Sequence, residues 1–158
     1  MLAAIWMQTD GTMAVTTPEY SLQNAGESDS AFVDRIMAKD WPGITYSKVD
    51  HTTIPEQSDF FNAMEISSGS AVVNMTKARA IHINWINAKS LSALQDLDQQ
   101  YNAAVDAGNV TLAATIKASR IAIRALATDP AIAAATTTAA LRALWPTSSL
   151  GASPYLGR

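Results

Sequence analysis

Apolar and polar positions alternate in short runs through the first seventy-odd residues and then switch to a three-to-four-residue step. Leu2 to Gln8 is apolar enough for a strand. Thr9-Asp10-Gly11 supplies turn chemistry, because Asp-Gly tolerates positive φ. Thr12 to Thr17 reads as the return strand, stopped by Pro18. After a polar stretch over 19–26, Ser28 or Ser30 is placed to cap a helix carrying Phe32 and Ile36. Trp41-Pro42-Gly43 ends that helix, since a residue before proline avoids the α region. Ile44 to Val49 alternates again and predicts a half-buried strand, closed by Ile54-Pro55. Met64 to Ile66 and Ala71 to Val73, joined through Ser67-Ser68-Gly69-Ser70, predict a second, shorter hairpin.

From Met75 to about Ala107 the apolar positions are Ala78, Ile81, Trp85, Ala88, Leu91, Leu94, Leu97, Tyr101 and Ala104 or Val105. These steps describe one face of a long amphipathic helix, with Lys89-Ser90 as the place where it would break. Gly108-Asn109 is a stop signal. A second helix over about 111–128 carries Leu112, Ile116, Ser119, Ile123 and Leu126 on one side. So short a link predicts an antiparallel pair. Asp129-Pro130 opens a third, alanine-rich helix, and Thr138 is placed to cap a short one with Leu141 and Leu144. Residues 147–158 show no period and read as a loose tail. The expectation is an α+β protein: a small N-terminal hairpin/helix/strand unit over 1–74, a long antiparallel helical hairpin with short C-terminal helices over 75–146, and the tail.

Composition narrows the function. Charged residues make up only 16% of the 158, against 48% hydrophobic. A surface so poor in charge relies little on repulsion to stay monomeric, which favours life inside an assembly. Net charge is −3 and no basic tract occurs, so a nucleic-acid footprint and attraction to anionic lipid are both missing. There is no cysteine, which removes disulfides, zinc thiolates and thiol nucleophiles. No apolar run approaches the ~20 residues that span a bilayer.

Candidate chemistry is thin. His51 follows Asp50, with Glu56 and Asp59 nearby, but it is one histidine without metal-ligand spacing. His82 sits alone on the long helix and reads as a satisfied boundary residue. Asp96 and Asp98 point to different helix faces and cannot share a metal. Gly69 and Gly108 stand alone, so no phosphate loop exists. An enzyme working through Asp50, His51 and Glu65 has nothing specific in its favour, and the expectation is no catalysis, no cofactor and no metal. The costly residues are Trp6, Trp41, Trp85 and Trp145. Trp6 and Trp145 divide evenly between core and partner anchor. With Ile81, Trp85, Leu94 and Tyr101 they form the expected interaction set, the helical stripe serving mainly to hold the hairpin together.

With these pieces in place the chain resembles a group of small proteins encoded in the tail modules of tailed bacteriophages. The likeness runs nearly end to end: Ile5-Trp6 through Asp10-Gly11, Ala14-Val15-Thr16, Glu27-Ser28, Phe32, Phe61-Asn62-Ala63, and Met75 through His82. It continues at Leu97-Asp98, Tyr101, Arg124, Asp129-Pro130-Ala131-Ile132, Leu141 and Trp145-Pro146. The similar proteins usually have tryptophan in place of Met64 and a further basic residue in place of Ile83 or Asn84, and they carry more charge along the long helix. The resemblance implies a tail, tail-fibre or baseplate component of the virion, assembled in the host cytoplasm. It would contact other virion proteins and copies of itself, with neither nucleic acid nor membrane as partner. A tail or tail-fibre assembly chaperone, absent from the mature particle, is the alternative.

Overall fold

The computed structural model describes residues 1–55 and 59–155 and divides into two compact units, 1–74 and 75–158. The chain is α+β, as its patterning predicts.

The first unit is built around β1 (Leu2–Met7). It pairs antiparallel with β2 (Met13–Thr16) on one side and β3 (Ser47–Asp50) on the other. A central strand shows both faces to the core, which explains its unbroken apolar run. Ala3 and Ile5 point one way, against Met13, Val49, Met64 and Ala71. Ala4 and Trp6 point the other way, against Ala14, Val33 and Met37. α1 (Asp29–Asp40) covers that second face, and Ser28 caps it by accepting the Ala31 N–H. β4 (Met64–Ser67) and β5 (Ser70–Val73) form a separate two-stranded sheet over the first face. Ser68 and Gly69 both have positive φ at their turn, which suits the right-handed strand twist. The third strand begins later than the alternation predicts, at Ser47 and not Ile44. The reason is local: Trp41 to Ile44 is a tight turn, closed by the Ile44 N–H donating to the Trp41 carbonyl, so pairing starts only beyond it.

The second unit is dominated by α2 (Met75–Asp106) and α3 (Val110–Ala125). α2 runs unbroken past Lys89-Ser90, correcting the expected break. Its end is set by Gly108 at φ 65. The Asn109 N–H reaches the Ala104 carbonyl at 2.8 Å and the Gly108 N–H reaches Val105 at 2.9 Å, a paired closure that needs a left-handed residue. The Asn109 side chain then caps α3, accepting the Leu112 N–H at 3.0 Å. One dipeptide therefore stops one helix and starts the next.

α4 (Pro130–Ala134), capped by Asp129, and α5 (Thr138–Ala143), capped by Thr137 and not Thr138, follow. Arg79 ties the end of α4 to α2 by donating to the Ala135 carbonyl at 2.9 and 3.2 Å. The expected loose tail is a correction. Residues 147–150 form α6 (Thr147–Leu150), and Tyr155 is buried.

Candidate interaction surface

In the first half of α2 the buried row is Ala78, His82, Ile86 and Ser90, each four residues on from the last, and Ala104 is buried farther along. The expected stripe of Ile81, Trp85, Ala88 and Leu91 therefore lies about one residue off the inner face. Ile81 is half-buried, Trp85 is 37% exposed and Leu91 is 62% exposed. Beyond Ser90 the expected positions face inward, but Leu94, Leu97 and Tyr101 are only half-covered. On α3, Ile116 and Ile123 are buried.

An aromatic cluster explains the shifted row. The buried His82 ring lies parallel to Tyr155, centroids 5.8 Å apart, and Trp145 meets it edge-on at 6.3 Å. His82 Nδ1 hydrogen-bonds the Tyr155 hydroxyl. Trp85 also stacks against Tyr155, ring centroids 5.9 Å apart and planes 21° from parallel. Trp145 Nε1 donates to the Gly151 carbonyl at 3.1 Å. Burial pushes the His82 pKa below its ordinary value. His82 thus anchors the C-terminal segment to α2. Its solitary occurrence gave no sequence signal for that role, because the partner Tyr155 lies 73 positions on.

The six residues expected to make contacts separate accordingly. Trp6 is buried and packs on Trp41, ring centroids 5.5 Å apart. Trp145 is buried in the cluster around His82. Trp85, expected within the stripe that holds the hairpin together, is only partly covered, since more than a third of it faces outward. Ile81, Leu94 and Tyr101 lie half-buried along α2.

The outer half of the helical hairpin exposes a set of large apolar side chains, two of which, Leu91 and Val105, fall on the apolar face expected for the long helix. Leu91, Val105, Val110 and Ile121 are 62%, 52%, 79% and 58% exposed. Helical periodicity places Leu91, Asp98 and Val105 on one side of α2 and Val110, Lys117 and Arg124 on the matching side of α3. Arg120 bridges the two helices there, pairing with Asp98 at 2.7 Å and lying over the Tyr101 ring at 5.1 Å. On the opposite side the helices leave a groove of 410 Å³ lined by Asp96, Gln100, Ser119 and Ala122 and closed by Ser148 and Ser149.

Asp50 and Glu65 of the catalytic alternative each accept hydrogen bonds from a neighbouring residue. Asp50 accepts from the Thr52 N–H at 3.0 Å and hydroxyl at 2.8 Å, and these bonds hold its carboxyl below the usual range. It is an anionic turn cap, far from a base poised near neutrality. Glu65 accepts from Asn74 at 2.8 Å. Asp59 is a half-buried turn residue, and Glu56 lies outside the described residues. Among the described residues no three His, Asp or Glu side chains group as metal ligands, and no helix is long and apolar enough to cross a membrane. No family model, curated protein or solved structure matches the chain.

Proposed function

We propose that this protein is a non-catalytic structural component of a tailed-bacteriophage virion, placed in the tail, tail fibre or baseplate and working through protein–protein contacts. The observation that carries the contact role is the row of Leu91, Val105, Val110 and Ile121 on the outer half of the hairpin. Four large aliphatic side chains set around one ion pair make an apolar patch interrupted by charge, the make-up of a surface that meets protein. The resemblance to phage tail-module proteins supplies the setting. The chain's low charge fits an assembly where neighbours, and not repulsion, define the environment.

Mass spectrometry on gradient-purified particles tests it, with this chain quantified against capsid and tail proteins. A fixed stoichiometric presence is expected. Abundance in infected lysate with absence from particles would replace this reading by an assembly chaperone, whose helices cover a partner's apolar face until assembly.

A further inference from the structure

A two-helix layer cannot close a core by itself. In the outer half of the hairpin this is visible in the half-covered Leu94, Leu97 and Tyr101 and in the exposed Leu91, Val105, Val110 and Ile121. A second layer of two helices would complete a four-helix bundle, the usual solution for such a hairpin.

The charges say which second layer fits. On the side that bears Leu91 and Val105, α2 carries Asp98 and no basic residue, Asp96 lining the groove on the opposite side. α3 carries Lys117, Arg120 and Arg124 and no acidic one. Laying α2 on α2, or α3 on α3, sets like charges together. Laying α2 on α3 sets opposite charges together, and one hairpin carries both halves of that match. A surface that complements itself is the signature of a twofold contact between copies.

We infer that the hairpin dimerises through the face bearing Leu91, Asp98, Val105, Lys117 and Ile121, with α2 of each copy laid on α3 of the other. The twofold axis runs along the hairpin. Asp98 already pairs with Arg120 of its own chain. Its carboxylate has capacity for a second donor, and Lys117 of the other copy stands at that level. Leu91 and Val105 flank this charged centre one heptad either side and are covered by the copy's Ile121, Val110 and the Arg124 stem. The inference rests on the reading of the hairpin as an assembly surface and names its first partner.

Sedimentation equilibrium on the full chain tests it over a range of concentrations. The expected result is a reversible monomer–dimer equilibrium. Leu91→Asp with Val105→Asp should leave a monomer whose helical circular dichroism is unchanged, because both side chains are already exposed. Lys117→Glu should weaken the dimer at least tenfold without touching the apolar residues. Because the chain has no cysteine, two single-cysteine chains, Leu91→Cys and Arg124→Cys, report the arrangement: mixed chains should cross-link in preference to like chains. A wild-type monomer at every concentration overturns the inference, as does an oligomer indifferent to these substitutions or a preference for like-chain cross-links. A monomer still found at fixed stoichiometry in particles would overturn the dimer and leave the structural role standing. A dimer absent from particles would do the reverse.

Discussion

His82 and Tyr155, 73 positions apart, lie side by side with ring planes only 3° apart and share a hydrogen bond between Nδ1 and the phenol hydroxyl. That contact converts a C-terminal segment with no periodic pattern into part of the second unit. Tyr155→Phe keeps the ring in its packed place and removes the hydroxyl, leaving a buried ring nitrogen without its partner. A loss of about 1–3 kcal/mol is expected. Chemical denaturation monitored by near-ultraviolet circular dichroism measures it, and an unchanged midpoint would remove the hydrogen bond from the account.

The same pair makes stability depend on pH. Burial depresses the His82 pKa from its ordinary 6.5. In the unfolded chain His82 takes up its proton as pH falls through that value, while the folded chain resists. Above pH 6.5 the stabilisation of the neutral ring is complete. It is lost progressively as pH falls from there toward the depressed folded value, and levels off below it. Unfolding curves between pH 7.5 and 5 should show this fall, and His82→Phe should flatten it. A wild-type profile as flat as the variant's would sink the idea.

Two tryptophans in contact with Tyr155 should behave differently. Trp145 is 5% exposed and its indole N–H is bonded, so Trp145→Ala should cost about 3–5 kcal/mol. Trp85 is 37% exposed, and what it gives up is chiefly one stacking contact and partial burial. Trp85→Ala should cost only about 1–2 kcal/mol. Equal losses in thermal melts would contradict the difference in burial.

The Gly108-Asn109 link makes a further separable pair. Gly108→Ala forces a Cβ into a left-handed conformation and should cost about 1–2 kcal/mol. Asn109→Ala removes the cap on Leu112 and should cost about 1 kcal/mol. Hydrogen exchange at the first turn of α3 should accelerate in both. Wild-type protection there would mean the hairpin is held by packing alone.

Much of this architecture was legible because local chemistry enforces it. Asp10-Gly11, Ser28, Gly108-Asn109 and Asp129-Pro130 each act within a few residues, and each turn or cap falls where its sequence says. The inner face of α2 was misread because two of its four buried positions before the hairpin's outer half are polar. Hydrophobic periodicity follows Ile81 and Trp85, whereas packing follows His82 and Ser90, and the polarity of His82 is answered only by Tyr155, far along the chain. The outward direction of the exposed row was not legible for a related reason. Leu91 and Val105 are apolar residues at helical spacing, and spacing alone cannot distinguish a side chain facing its own core from one facing out.

β1 has a consequence for synthesis. Its neighbour β2 follows at once, but the two layers that cover its faces come later, α1 ending at Asp40 and the β4–β5 hairpin at Val73. At ~5–20 residues per second, a ribosome takes roughly 3–13 s to make the stretch from Met7 to Val73. During that interval the uncharged Leu2–Met7 ribbon has no shield on one face and then on the other. The vulnerable interval thus falls before the helical hairpin has been made, when a holdase would act on the nascent first unit.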